Sequence, residues 1–201
     1  MEKGTAFCLY RDIAERTDGD VYIGVVGPVR TGKSTFIARF MEELVLPHMQ
    51  PGPKKDRLLD ELPQSGSGKT IMTTQPKFVP SEAAQVFLQE QTAVRVRMVD
   101  SVGYLVKGAL GSTEGESQRM VHTPWFDQDI PFEQAAEIGT RKVITDHATI
   151  GMVVTTDGSI ADLPRSAYVE AEDRVISELQ ALGKPFVIVL NSAAPRTAEA
   201  L

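Results

Sequence analysis

Residues 21–40 read VYIGVVGPVRTGKSTFIARF. The apolar, β-branched run at 21–26 is typical of a buried strand in a parallel sheet. Residues 34–46 then predict a helix that stops before Pro47. Between them, residues 27–34 fit the pattern G-x-x-x-x-G-K-[ST] at every fixed position. A strand, a loop of this pattern and a helix together predict an α/β fold with a phosphate-binding loop.

Each fixed position of this loop has a physical reason. Glycines let the main chain wrap closely round phosphate oxygens, and the helix that follows directs its positive end at the same anion. The Lys33 ammonium can reach the β- and γ-phosphates, and the Ser34 hydroxyl can bind Mg²⁺. The predicted nucleotide-contacting residues of the loop are Gly27, Pro28, Val29, Arg30, Thr31, Gly32, Lys33, Ser34 and Thr35. Two interpretations of Arg30 stay open, an offset of phosphate charge or a solvent-exposed side chain.

The composition is that of an ordinary globular protein. The 201 residues include 21 Lys and Arg against 27 Asp and Glu, a net charge of −6, which argues against non-specific binding of nucleic acid or anionic lipid. The single cysteine, Cys8, allows no intramolecular disulfide and favours a reducing compartment. No sequence window approaches the roughly 20 apolar residues that span a bilayer. We therefore expect a cytoplasmic protein that binds no nucleic acid and meets membranes only peripherally.

Helical and strand patterns alternate along the rest of the chain. Strands are predicted at 78–80, 93–99, 150–155 and 185–190, and helices at 5–16, 56–62, 132–148 and 166–182. The partial alternation of VRVRMVD, residues 94–100, is typical of an edge or antiparallel strand. The order predicts one P-loop NTPase domain over residues 1–201, a three-layer α/β sandwich with a mostly parallel sheet. A long switch-like connection at 47–77 and an insertion at 104–132 interrupt it.

A carboxylate for the metal is expected at the end of a strand beside the loop. Asp100 ends VRVRMVD and is followed at the third position by Gly103, the D-x-x-G form that this motif takes in GTPase-like proteins. In that form the aspartate holds Mg²⁺ through water and the glycine amide contacts the γ-phosphate. The alternative is a strand-end aspartate that caps a turn. Of the threonines between the two motifs, Thr73 or Thr74 is the candidate that contacts Mg²⁺ and the γ-phosphate, and the alternative there is a polar strand start.

The base-reading motif N-K-x-D of GTPases is degraded here. The last predicted strand is followed by Asn191, Ser192, Ala193 and Ala194, so Asn191 is in place while the lysine and the aspartate are replaced. Because the aspartate is the strongest discriminator of guanine, we expect ATP to be the substrate. Tyr104 stands where a water-positioning glutamine is expected, so hydrolysis by this chain alone should be slow or should use a group supplied in trans.

Five segments together resemble the stage IV sporulation protein A family, the coat-morphogenetic ATPases of endospore-forming bacteria. They are GVVGPVRTGKSTFI, DELPQSGSGKTIMTTQPKFVP, MVDSVGY, TPWFDQDIPFEQAAEIGTRKVITDHATIG and TTDGSIAD. The resemblance extends from about residue 10 to the C-terminal end. It implies a GTPase-like, translation-factor-related fold that hydrolyses ATP with Mg²⁺. It also implies that Lys33 is the loop lysine, Asp100 the Walker B carboxylate, and Thr73 and Thr74 the sensor threonines.

The resemblance further implies what the protein does in the cell. Proteins of this family polymerise, using ATP hydrolysis, into a static shell on the mother-cell face of the outer forespore membrane, on which the spore coat assembles. The implied partners are further copies of the protein, a small membrane-anchored recruiting peptide and other coat morphogenetic proteins.

Family members are much longer than this chain, and the final strand and helix of a complete GTPase-like domain are not found before Leu201. We therefore expect a truncated domain with an exposed sheet edge. Two alternatives stay open, a regulatory P-loop GTPase and a nucleotide-binding fragment without catalysis.

Overall fold

The computed structural model describes residues 20–63, 75–87, 93–109, 113–114, 117–198 and 200. The helix predicted at 5–16 and the sensor threonines Thr73 and Thr74 lie outside the described residues.

The described elements alternate between strands and helices. In chain order the strands are β1 (Asp20–Val26), β2 (Lys77–Phe87), β3 (Ala93–Asp100), β4 (Thr113–Glu114), β5 (Ser117–Gln118), β6 (Met120–Val121), β7 (Ile130–Pro131), β8 (Ile150–Thr156) and β9 (Phe186–Asn191). The α-helices are α1 (Lys33–Phe40), α2 (Pro53–Glu61), α3 (Phe132–Lys142) and α4 (Val169–Ala181). Helices α1 and α3 continue as the π-helical turns Met41–Val45 and Val143–His147, and 3₁₀ turns occupy Leu46–His48 and Arg165–Ala167.

Five strands form the central sheet in the order β2-β3-β1-β8-β9. Strand β1 runs parallel to β3 and β8, and β8 runs parallel to β9. Strand β2 alone among these five is antiparallel to its neighbour, β3. The prediction of a mixed α/β fold with a mostly parallel sheet is therefore confirmed.

Helices cover both faces of this sheet, and consecutive residues of β1 show it. Val25 belongs to a buried cluster with Ile37 and Met41 of the α1 segment, whereas Val26 belongs to a cluster with Phe132 of α3 and Leu179 of α4. Successive side chains of a strand point to opposite faces. Because β1 is buried on both, its sequence is apolar without alternation, which is the pattern that the sequence shows.

The structure refines three of the predicted elements. Strand β3 lies between β2 and β1, so it is not an edge strand, but its antiparallel pairing with β2 confirms the other interpretation of its alternation. The helix expected to stop before Pro47 continues as helical turns to His48, since proline is tolerated in the first turn of the short 3₁₀ segment. Helix α2 begins at Pro53, three residues before the predicted start, for the same reason.

The described part of the insertion at 104–132 contains regular secondary structure. It contains two short antiparallel ladders, β4 with β5 and β6 with β7. The second ladder leads directly into α3, whose first residue, Phe132, donates its amide to the Arg119 carbonyl.

Strand β9 is at one edge of the sheet, and its apolar side chains Val187 and Ile188 are 50% and 51% exposed. Within the described residues, this edge of the central sheet therefore carries exposed apolar side chains. No helix in the described part of the chain has the length and apolarity that a membrane crossing requires.

Candidate functional site

The carboxyl ends of parallel strands meet at one edge of a sheet, and ligands of open α/β folds bind there. The four parallel strands of the central sheet, β1, β3, β8 and β9, have their carboxyl ends at this edge. The loop at 27–32 leaves β1, Asp100 ends β3, Asp157 follows β8 and Asn191 ends β9. Residues that are far apart in sequence are thereby brought to one site.

The loop crosses directly over β8, and glycine is required at its first position. Gly27 has a φ of 133°, and a Cβ there would lie 2.3 Å from the Val154 carbonyl oxygen. Any side chain would collide with main chain that cannot move away. The first glycine of the pattern is therefore needed for packing against the sheet as well as for the turn.

Lys33 is held inside the loop by the loop itself. Its side chain is 5% exposed, and Nζ donates to the carbonyl oxygens of Pro28 at 2.6 Å and Gly27 at 3.4 Å. Burial lowers the pKa of the Lys33 ammonium to about 8, while the negative charge of Asp100 acts in the opposite direction. The ammonium therefore remains charged at neutral pH, and phosphate oxygens could replace the two carbonyls as its acceptors.

Ser34 and Asp100 form a pair next to this lysine. The Ser34 hydroxyl donates to Oδ2 of Asp100 at 2.6 Å. Asp100 is 4% exposed, and its other oxygen, Oδ1, has no hydrogen-bond partner among the described residues. Burial raises the pKa of this carboxyl, although the Ser34 hydrogen bond and the Lys33 charge lower it. A buried carboxylate oxygen without a partner is costly unless a ligand satisfies it.

A magnesium ion fits this donor set. Mg²⁺ prefers hard oxygen ligands, keeps several waters, and is commonly bound through one or two protein oxygens together with substrate phosphates. The orphaned Oδ1 of Asp100 and the neighbouring Ser34 hydroxyl provide such oxygens. Within the described ranges no group of three or more His, Cys, Asp or Glu side chains could hold a metal by itself. Binding would therefore depend on the phosphates.

Gly103 lies against the side chain of Lys33. Its φ is 95°, and a Cβ there would lie 2.4 Å from the Gly27 carbonyl oxygen and 2.5 Å from Nζ of Lys33. Its amide, predicted to contact the γ-phosphate, donates at 3.0 Å to Oγ1 of Thr140 on α3. The structure thus brings Gly103 to the site and gives its amide a protein partner.

The segment that carries Gly103 is joined to β1 and to the loop by three further hydrogen bonds. The Ser101 hydroxyl donates to the Val25 carbonyl at 2.8 Å. The amide of Tyr104 donates to the Gly27 carbonyl at 3.2 Å, and the amide of Val29 donates to the Tyr104 carbonyl at 2.9 Å. A shift of the loop would therefore displace residues 101–104 with it.

The side chain of Tyr104 points away from the loop. It is 2% exposed, its hydroxyl donates to the Glu178 carboxylate of α4, and the Arg174 guanidinium lies 4.4 Å from the ring centroid. Arg174 in turn makes two hydrogen bonds, of 2.6 and 3.0 Å, to the Glu137 carboxylate of α3. Tyr104 thus packs the loop-bonded segment against α4.

Asn191 contacts the loop from the far side of the site. Its Nδ2 donates to the Thr31 carbonyl at 3.0 Å, and the Thr31 hydroxyl, fully buried, donates to the Pro28 carbonyl at 3.0 Å. Arg30 is partly buried and has a φ of 64°, in the left-handed region. The two interpretations of its side chain stay open. Thr35 is exposed in the first turn of α1.

The sequence reasoning missed Thr140. Thr140 is fully buried on the helix face that also carries Ala136 of α3 and Ile144 of the π-helical turn that follows α3. A polar residue on an otherwise apolar helix face is the signal that could have identified it.

A second omission is the turn after β8, where Asp157 accepts from the amide and the hydroxyl of Ser159 at 2.9 and 2.6 Å. The Ser159 hydroxyl also accepts from the Ala193 amide at 2.8 Å. This turn therefore connects the ends of β8 and β9, beside the loop that Asn191 contacts.

The chain is similar to known proteins over nearly its whole length. The family model described as stage IV sporulation protein A, ATPase domain, matches residues 4–201. Proteins named stage IV sporulation protein A are similar to the chain: 59% identical over 95% of it in Clostridioides difficile, 58% over 93% in Bacillus subtilis and 54% over 93% in Bacillus anthracis. The chain spans 39%, 38% and 38% of the length of these relatives. The match over nearly the whole chain shows that it belongs to the stage IV sporulation protein A family and corresponds to that family's ATPase domain.

Proposed function

We propose that this chain is the catalytic part of a Mg²⁺-dependent ATPase that hydrolyses ATP to drive assembly of a scaffold layer for the spore coat. One observation carries the catalytic part of this proposal. A buried, charged lysine, a serine hydroxyl and an aspartate with one orphaned oxygen meet at the end of a loop that follows β1. This combination suits a nucleoside triphosphate and its magnesium ion.

The residues act on the phosphates by position and charge. Lys33 and the amides of the loop stabilise the negative charge of the β- and γ-phosphates, which the reaction redistributes. Ser34, Asp100 and Thr74 would hold Mg²⁺, which would supply positive charge against the negative charge of the phosphates. We assign Thr73 and Thr74 to the γ-phosphate side, and Asn191 to holding the loop in place through Thr31.

We also propose a GTPase-like topology with ATP as the substrate. The strand order and the antiparallel β2 support the topology. The degraded base-reading motif supports ATP, because Ala194 stands where a guanine-reading carboxylate is expected, and a site without that carboxylate loses its main discrimination for guanine. Tyr104 stands where a water-positioning glutamine is expected, and its hydroxyl is bonded to Glu178. Turnover by a single copy should therefore be slow.

Family membership supports a proposal for the cellular role. We propose that the protein assembles with further copies of itself in the mother-cell cytoplasm, peripherally on the outer forespore membrane. The proposed partners are a small membrane-anchored peptide and coat morphogenetic proteins.

The test is Mg²⁺-dependent turnover of ATP and GTP by the full-length protein, with sedimentation of any polymer. Lys33→Ala should lower ATP turnover at least about tenfold, since it removes the charge that contacts the transferred phosphate. The matched control is Lys107→Ala, at an exposed lysine. Equal turnover in Lys33→Ala and the wild type would reject the catalytic proposal. A strong preference for GTP would support the regulatory GTPase alternative instead.

A further inference from the structure

The Gly103 amide has a side-chain acceptor on another element of the protein. The amide donates at 3.0 Å to Oγ1 of Thr140, and both residues are buried. Gly103 also lies against the Lys33 ammonium, because a Cβ on it would be 2.5 Å from Nζ. The Gly103 amide is therefore a buried donor, next to a buried cation, with a side-chain acceptor from another element.

This hydrogen bond competes with a phosphate for the same proton. An amide N–H makes one good hydrogen bond, so an anion that takes it must displace the Thr140 oxygen or share the donor with it. The other hydrogen bonds of the segment, from Ser101 to Val25 and between Tyr104 and Gly27, hold the amide in place while its acceptor changes.

The competition concerns the terminal phosphate. The loop at 27–32 leaves β1, whereas Gly103 belongs to the segment after the neighbouring strand β3, three residues beyond Asp100. A phosphate that contacts Gly103 must extend from the loop past Lys33 towards Asp100. A diphosphate held in the loop has no group to place there.

We infer that Thr140 weakens the preference of this site for triphosphate over diphosphate, because its hydroxyl holds the Gly103 amide until a γ-phosphate oxygen takes it. The inference rests on the proposed nucleotide site and adds a positioning residue to it. Thr140 contacts no phosphate in this scheme. Its hydrogen bond to the Gly103 amide is lost when the γ-phosphate takes that amide, so the net free energy gained on triphosphate binding is smaller by that bond. Diphosphate binding leaves the bond intact.

The direction of the change in nucleotide affinity follows from the hydrogen bonds of the protein without nucleotide. Thr140→Val keeps the volume of the side chain and removes the acceptor, so that the buried Gly103 amide has no partner until a triphosphate binds. The affinity for a non-hydrolysable ATP analogue should then rise about two- to tenfold relative to that for ADP, the size expected of one net hydrogen bond. The affinity for ADP should stay unchanged. Thr140→Ser keeps the hydroxyl and should behave as the wild type.

The experiment is calorimetric titration of the full-length protein with ADP and with the analogue, each with Mg²⁺, so that turnover plays no part. Thr123→Val is the matched control, because Thr123 is also fully buried and its hydroxyl has no partner in the described part of the chain. An unchanged affinity ratio in Thr140→Val, or a ratio that falls, would overturn the inference. If the wild type binds neither nucleotide, the proposed function itself fails, and the two failures are thus distinguishable.

A second measurement does not depend on a folded variant. In the wild type, the amide resonance of Gly103 should move strongly when the analogue binds and should stay near its nucleotide-free position with ADP. Equal movement with both nucleotides would contradict a role for this amide in distinguishing them.

Discussion

The Ser34 hydroxyl donates a 2.6 Å hydrogen bond to Oδ2 of Asp100, although 66 residues separate the two in sequence. The bond connects the start of α1 to the end of β3. Since β1 and β3 are paired neighbours, with Val25 level with Asp100, the sheet fixes this distance without help from a ligand. The Ser34–Asp100 pair, which we propose to hold the metal, is thus positioned by the sheet, and this would reduce the ordering that binding requires.

Asp100→Asn tests whether the orphaned carboxylate oxygen serves a metal. The amide keeps an oxygen that can accept from Ser34 but removes the negative charge. We expect the Mg²⁺-dependent gain in ATP affinity to fall at least about tenfold, because a carboxylate is a far better Mg²⁺ ligand than an amide. Calorimetric titration with ATP in the presence and absence of Mg²⁺ measures it.

The free energy of unfolding provides an internal check on Asp100→Asn. Burial is the largest cause of the raised Asp100 pKa, so the neutral amide should leave the free energy of unfolding at least as large as in the wild type. The control is Asp173→Asn at an exposed position of α4. A retained Mg²⁺ effect in Asp100→Asn would show that the metal is held elsewhere.

The local parts of the site could be predicted from sequence, and the parts made by packing could not. A strand, a glycine-bounded loop and a helix specify the environment of Lys33 within about ten residues of chain, so the pattern alone indicates it. Thr140 reaches Gly103 through the packing of α3 on the sheet, which no local pattern contains.

Strand β3 shows the same limit, because its alternation fits either an edge strand or an antiparallel strand, and the structure has the second. The alternation of β3 comes from two arginines that have specific partners. The Arg97 guanidinium lies 4.0 Å from the Phe78 ring centroid and donates to the Pro80 carbonyl at 3.1 Å, and Arg95 pairs with Asp20. Strand β3 is therefore interior although it carries charges. Charges alone do not distinguish an edge strand from an interior strand whose side chains are paired.

Gly103→Ala should be severely destabilising. The added methyl would lie 2.4 Å from the Gly27 carbonyl oxygen in a left-handed conformation, so we expect the free energy of unfolding to fall by at least about 2 kcal/mol. Gly183→Ala is the matched control, since Gly183 also has a positive φ, of 63°, but would meet no atom within 4 Å. Its cost should be only about 1 kcal/mol. Urea denaturation compares the two, and equal losses would show that backbone strain alone is responsible.

Asn191→Ala should weaken nucleotide binding while the fold remains intact. The substitution removes the hydrogen bond from Nδ2 to the Thr31 carbonyl and leaves the loop less restrained. Because the bond is partly buried and neutral, we expect a loss of about 1 kcal/mol in binding, or roughly fivefold in affinity. Titration with ATP measures this loss, and Ser192→Ala is the neighbouring control. An unchanged affinity would mean that the loop is held by its contacts with β8 and residues 101–104 alone.

Tyr104→Phe should remove part of the alkaline sensitivity of the protein. Burial, together with the hydrogen bond to Glu178, raises the pKa of the Tyr104 hydroxyl above the ordinary value of 10.0. A group whose pKa is raised on folding contributes stability that is fully present below its unfolded pKa and is lost as the pH rises towards the folded value. The wild type should therefore lose stability more steeply than Tyr104→Phe above pH 10, and the two should run parallel between pH 7 and 9. Urea denaturation across this range isolates the effect, because lysine ionisation is common to both proteins. Parallel curves above pH 10 would show that the Tyr104 hydroxyl ionises as readily in the folded as in the unfolded chain, contrary to its packing under α4.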